Sequence, residues 1–248
     1  MQFSEQQEVA MGVRERPFIV SRNGDIIPGI LWSPEKPDVA SPLVLMGHGG
    51  HSEKRNPAGL AMARRMVRHH GITVAAIDAI DHGERGPIVG PDHPAYVELW
   101  KKPDTFDRMT ADWRAVLDEL VELPNIDGER VGYWGLSMGT MLGVPFVAAE
   151  PRIRAAVLGL CGFRGSSAIR GRFGERNRAD APNITCPVMF FVQWDDELFE
   201  RESAFELFDA IGSTDKRLHA HMGKHGEFPV EGGEASRQFL ASRLLGEG

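Results

Sequence analysis

Val131-Gly132-Tyr133-Trp134-Gly135-Leu136-Ser137-Met138-Gly139 is a short apolar, aromatic run that ends in Gly-x-Ser-x-Gly and passes into a helix-like segment, Thr140 to Glu150. The residues before the pattern favour a strand and those after it a helix. A serine on so sharp a strand-to-helix turn sits in a strained conformation with its hydroxyl pushed out towards a substrate. The glycines fit, because a Cβ at Gly135 or Gly139 would clash where the backbones approach. The plain alternative is a serine in an ordinary tight βα turn. The context favours a nucleophile.

Working outward, Arg16 to Val20 and Asp25 to Trp32 read as two strands around a tight turn at Arg22-Asn23-Gly24, a hairpin signal. Pro42 to Met46 is a continuous apolar run, as a strand buried on both faces requires. A helix is predicted from about Asn56 to His70, with Pro57 in its first turn and Gly71 at its end. Ile72 to Ile77 is a buried strand. Phe106, Met109, Trp113, Val116, Leu117, Leu120 and Val121 mark one face of a helix. Beyond the serine, strands are expected at Ile153 to Leu160, Pro187 to Val192 and Arg217 to Met222. Helices are expected at Ser203 to Ile211 and Glu234 to Leu245. This alternation predicts a mostly parallel sheet with helices on both faces, as one domain over residues 1–248 with 1–15 as an N-terminal extension.

The 248 residues suffice for a sizeable core, and a net charge of −7 argues against nucleic acid or an anionic membrane as main partner. No apolar run approaches the ~18 residues needed to span a bilayer. Met1 to Val13 lacks the apolar stretch of a secretory signal, and two cysteines, Cys161 and Cys186, make no disulfide framework. A cytoplasmic location is expected. A homo-oligomer is compatible with the sequence, which does not fix the oligomeric state.

A serine hydroxyl is a poor nucleophile until a base takes its proton, and the base needs an orienting acid. In the α/β-hydrolases, whose serine turn this one resembles, the order is serine, acid, histidine, each after a later strand. Phe190 to Val192 is followed by Gln193-Trp194-Asp195-Asp196-Glu197. Asp196, one residue further into the turn, is preferred, with Asp195 as its rival. The stretch Cys161-Gly162-Phe163-Arg164 offers no acid one strand earlier. His225, in Gly223-Lys224-His225-Gly226, is the expected base, while His219 and His221 alternate along a strand and read as structural or surface residues.

Acyl chemistry also needs donors for the oxyanion. The Met138 N–H, at a helix N-terminus, is one candidate. The second belongs to Gly47-His48-Gly49-Gly50-His51, with Gly50 preferred and His51 as the alternative. Tyr96 and Trp100 in the long connection Asp81 to Thr105, together with His51 and Trp194, are candidates to line the substrate pocket, although Tyr96 and Trp100 could equally pack into the domain. Gly162 to Cys186 carries Arg164, Arg170, Arg172, Arg176 and Arg178 against Glu175 and Asp180. That excess could attract a carboxylate-bearing ester, although a solvated basic loop is the plainer reading. No zinc spacing and no phosphate-cradling glycine motif is present, so neither metal nor cofactor is expected.

With Ser137, Asp196, His225 and the His48-Gly49-Gly50 loop in order, the chain resembles the α/β-hydrolase superfamily from about residue 16 onward. Its compact, capless outline resembles the dienelactone hydrolase-like and small carboxylesterase branch. Asp78-Ala79-Ile80-Asp81-His82-Gly83-Glu84-Arg85 resembles that family's pattern after the fourth strand, where a tight H-G-x-R turn supports the oxyanion loop. The resemblance implies eight strands, the hairpin supplying the first two. Dienelactone hydrolases themselves use a cysteine where this chain has Ser137, which favours ordinary ester hydrolysis. Rival readings are a thioesterase or acyltransferase, a small peptidase with the same three residues, or a non-catalytic binding protein on the same fold.

Overall fold

A computed structural model describes residues 1–37, 39–88, 90, 92–165 and 173–246. The strands are β1 (Gln2–Phe3), β2 (Glu8–Ala10), β3 (Val13–Arg22), β4 (Asp25–Pro34), β5 (Ser41–Gly47), β6 (Thr73–Ile77), β7 (Ile126–Gly135), β8 (Ile153–Gly159), β9 (Val188–Gln193) and β10 (Lys216–His221). The helices are α1 (Pro57–His70), α2 (Pro94–Lys101), α3 (Thr105–Val121), α4 (Met138–Ala149), α5 (Phe173–Asp180), α6 (Arg201–Ala210) and α7 (Val230–Leu245).

One sheet runs in the order β1-β3-β4-β6-β5-β7-β8-β9-β10, with β2 also on β3. From β6 to β10 every pairing is parallel, and β4, β3, β2 and β1 join antiparallel. The hairpin forms with Arg22 opposite Asp25, so the turn is Asn23-Gly24 alone. Both have positive φ, 51° and 86°, the conformation that suits the twist of two-residue hairpins. Among the described residues the expected eight strands become ten, because part of the N-terminal extension pairs with β3. Main-chain hydrogen bonds, and a Phe3 ring that meets Phe18 edge-on and lies under the Arg16 guanidinium, hold a segment that shows no strand-like pattern.

Side chains alternating along the buried strands feed two cores. Leu43, Leu45 and Tyr133 point into the one covered by α2 to α6. Val44, Met46 and Val74 point into the one covered by α1 and α7. Helix α4 lies deepest, buried from Met138 to Val147. Helices α2 and α5 lie within the two long connections and escape a reading by periodicity. Each spans only eight residues. Chain order reverses at β5, whose two neighbours are β6 and β7. In open α/β sheets the crevice above such a switch point is where ligands bind, and the loops after β5 and β7 both open there.

Candidate active site

Ser137 stands between β7 and α4 with φ 58° and ψ −120°. A non-glycine residue held there carries strain of order 1–3 kcal/mol. The surroundings enforce it. The Ser137 N–H donates to Gly159 O at 2.9 Å, and Tyr133 Oη donates to Gly139 O at 2.6 Å. Thr140 Oγ1 accepts from the Gly159 N–H at 2.8 Å. A Cβ on Gly135 would lie 2.7 Å from Gly139 O, and one on Gly139 would lie 2.8 Å from Gly47 O. The glycines are therefore required by the close approach of β5, β7 and α4.

The structure brings Ser137, His225 and Asp196 into one hydrogen-bonded chain. Ser137 Oγ lies 2.8 Å from His225 Nε2, and His225 Nδ1 lies 2.8 Å from Asp196 Oδ2. The carboxylate needs a proton at Nδ1, so the neutral ring presents its lone pair to the serine hydroxyl. Asp196 is itself fixed, because its Oδ1 accepts the N–H groups of Leu198 at 2.8 Å and Phe199 at 3.0 Å. Asp195 is exposed, and its N–H ties to Gly223 O at 3.0 Å. The Phe199 ring lies 5.7 Å from the imidazole, and Phe173 meets Phe199 edge-on at 5.9 Å. One side of the site is thus apolar.

Met138 is the first residue of α4, where an N–H has no acceptor within the helix. Gly50 is buried against α2, where an added Cβ would come within 2.6 Å of Tyr96 Oη. His48 stabilises this loop from inside. Its Nδ1 donates to Gly49 O at 2.9 Å and its Nε2 accepts the Ala79 N–H at 3.0 Å. Burial lowers the imidazole to about 4, which keeps it neutral. Beneath it, Asp78 accepts from Lys54 N at 2.9 Å, Lys54 Nζ at 2.7 Å and Glu84 N at 2.9 Å. Arg85 spans Asp78 O and the buried Asp112 carboxylate. The turn Asp78 to Arg85 and the loop after β5 are therefore one unit.

The four pocket candidates take different places. Tyr96 and Trp100 are 2% and 0% exposed, so neither walls an open pocket. They pack edge-on at 5.4 Å because α2 turns both inward with Leu99. Tyr96 backs the Gly50 loop instead. His51 is exposed and lies over Gly90. Trp194 is half-exposed under the Arg201 guanidinium and against Phe205, on the α6 side of the acid loop.

Among the described residues, the arginines of the Gly162 to Cys186 connection are engaged in ion pairs. Arg164 binds Glu200 at 2.7 Å and both oxygens of Glu206. Arg178 also reaches Glu206 and stacks over Phe163. Arg176 pairs with Asp107 and Asp180. Arg170 and Arg172 lie outside the described residues. Cys161 is buried, and both burial and the Asp196 carboxylate push its thiol well up, so it offers no thiolate. Burial likewise raises Cys186, to about 12. His219 and His221 pack on Phe191. Among the described residues no group of three or more His, Cys, Asp or Glu is arranged to hold a metal ion, and no helix is long and apolar enough to cross a membrane.

Sequence reading missed Gln193, Glu197, Lys54 and Phe199. Only Gln193 carries a local signal, a polar residue closing the apolar run Val188 to Val192.

The dienelactone hydrolase family profile matches residues 87–234, more than half of the chain. Among solved structures, a cold-adapted esterase from an Arctic intertidal metagenomic library, in a PEG-bound complex, is 36% identical with a TM-score of 0.88, over 98% of this chain and 100% of that one. An acetyl xylan esterase from Paenibacillus sp. R4, 16% identical, shares the fold with a TM-score of 0.79 over 98% of this chain and 88% of that one. Acetyl xylan esterase 1 from Thermoanaerobacterium sp. JW/SL YS485, 19% identical, does so at 0.74 over 97% and 87%. No curated protein sequence matches. Fold, elbow and profile agree: the chain belongs to the dienelactone hydrolase family, with the α/β-hydrolase fold, and is a hydrolase of ester bonds.

Proposed function

We propose that the chain hydrolyses carboxylic esters of small molecules through an acyl-enzyme on Ser137. The observation that carries the reading is the hydrogen-bonded relay Ser137–His225–Asp196 ending on a strained, positive-φ serine. Ser137 Oγ attacks the ester carbonyl as His225 Nε2 takes its proton. Asp196 holds the ring and stabilises the imidazolium. The N–H groups of Met138 and Gly50 stabilise the oxyanion. His225 then protonates the departing alcohol, and water, deprotonated by the same nitrogen, releases the acid and regenerates Ser137. The similarity to an esterase supports ester as the substrate class. The apolar Phe199 side and the ion-paired arginines favour uncharged esters over anionic ones.

A fluorophosphonate probe with peptide mapping tests the reading. Stoichiometric labelling of Ser137, absent in His225→Ala and Ser137→Ala, together with hydrolysis of short-chain neutral esters, is the expected result. A folded protein that takes no label, or a Ser137→Ala variant that retains turnover, would sink the assignment.

A further inference from the structure

Gln193 contradicts the chemistry of its own strand. β9 is buried along its whole length, and Gln193 ends it at 1% exposure. An amide taken out of water is unfavourable unless it is hydrogen-bonded. Its Nε2 donates to Lys224 O at 3.1 Å and Glu227 O at 3.0 Å, the two ends of the turn that carries His225. Among the described residues its Oε1 has no partner, and both side-chain hydrogen bonds they give the amide go to that turn. The turn is further closed by Glu227 N–H to Lys224 O at 3.0 Å and Lys224 N–H to Glu227 Oε2 at 2.8 Å. From the acid loop, Glu197 Oε2 accepts the His225 N–H at 3.0 Å. That bond holds the Glu197 carboxyl below its usual range. Asp196 therefore holds the imidazole by its ring, while its neighbour holds the same residue by its backbone.

We infer that the Gln193 amide and the Glu197 carboxylate are positioning residues for His225, an inference that rests on the acyl-transfer reading. Neither touches the reacting atoms. A ring bonded only through Nδ1 can pivot about the Asp196 contact and swing Nε2 off the serine. Fixing the main chain on both sides of the ring removes that freedom. Misplacement by about 1 Å costs a rate factor of about 10².

The test uses the full chain with p-nitrophenyl acetate, fluorophosphonate labelling kinetics and the low-field proton signal of His225 Nδ1–H. Gln193→Leu and Glu197→Ala are each expected to lower kcat by about tenfold to a hundredfold, with KM changed by less than about twofold. The labelling rate should fall in parallel and the low-field signal should broaden or vanish. Glu197→Gln, which keeps an acceptor for the His225 N–H, should recover most of the loss. Wild-type kcat, labelling and signal in both variants would overturn the inference. If Gln193→Leu does not fold, Glu197→Ala decides alone, because that carboxylate is exposed. If the wild type neither labels nor cleaves ester, the acyl-transfer reading fails. The low-field signal then still decides positioning, its retention in the variants counting against it.

Discussion

Two loops face Ser137 from opposite sides, and different physics holds each. The loop after β5 is anchored in the interior by a neutral buried histidine, His48, and by Lys54 paired to the fully buried Asp78. The loop at 223–227 sits above β10, an edge strand, and main-chain hydrogen bonds to Gln193, Glu197 and Glu227 anchor it. The contrast matches the tasks proposed for the two loops. A donor for a developing oxyanion works best when nothing reorganises. A base must receive a proton from one oxygen and deliver it to another, so its ring has to stay reachable. The His225 side chain keeps 13% exposure.

The largest expected effect lies on the base side and falls on rate. Asp196→Asn removes the charge that stabilises the imidazolium and favours the wrong tautomer. A loss of about 10⁴ in kcat is expected, with little change in thermal stability. Near-normal turnover would move the acid role to Asp195. The interior side should respond in stability instead. Lys54→Met leaves the Asp78 carboxylate buried without its ammonium, and breaking a buried pair costs about 3–5 kcal/mol. Urea unfolding reads it directly. A loss below about 1 kcal/mol would mean that the Lys54 and Glu84 N–H groups suffice for Asp78.

His48 sharpens the contrast most finely. Burial depresses its imidazole from the ordinary 6.5 to about 4, so between those values the folded state binds fewer protons than the unfolded chain. Its contribution is complete above about pH 6.5 and is lost as pH falls through about 4. The full amount is about 3 kcal/mol, from about 1.4 kcal/mol per pH unit. Other carboxylates titrate in the same window, so the readout is a difference. His48→Asn should flatten the stability-against-pH slope between pH 4 and 6.5, and an unchanged slope would clear His48 of the linkage.

The elements that local chemistry dictates are legible in the sequence. Asn23-Gly24 specifies its turn, Pro42 to Met46 its doubly buried strand, and the Gly-Leu-Ser-Met-Gly run its sharp bend, because each rests on neighbours in the chain. Partners from distant segments are not legible. The arginines after β8 look like a basic loop when counted within their own connection. Glu200, Glu206 and Asp107, which neutralise three of them, come from elsewhere. Tyr96 and Trp100 illustrate the same limit. An aromatic residue in a long connection reads alike whether it walls a pocket or fills a core, and only the short α2 decides which way it faces. In the sequence, the choice between Asp195 and Asp196 is one of turn geometry. The structure places Asp196 Oδ2 on the imidazole and leaves Asp195 at the surface. Gln193 gave a weak sign as the one polar residue of its strand, but the carbonyls it holds lie 31 and 34 residues away.

The order of strands along the chain has a consequence for safety during synthesis. The bend that carries Ser137 is complete once β7 and α4 pack against β5 and β8. The proposed base and its acid arrive only with β9 and β10, the strands that follow at the outer edge of the sheet. On the proposed acyl-transfer reading, a growing chain that has already shaped its serine lacks the histidine that would deprotonate it. The alcohol stays as inert as any other serine until the rest of the sheet has docked. Reactivity is in this sense the signature of a finished molecule.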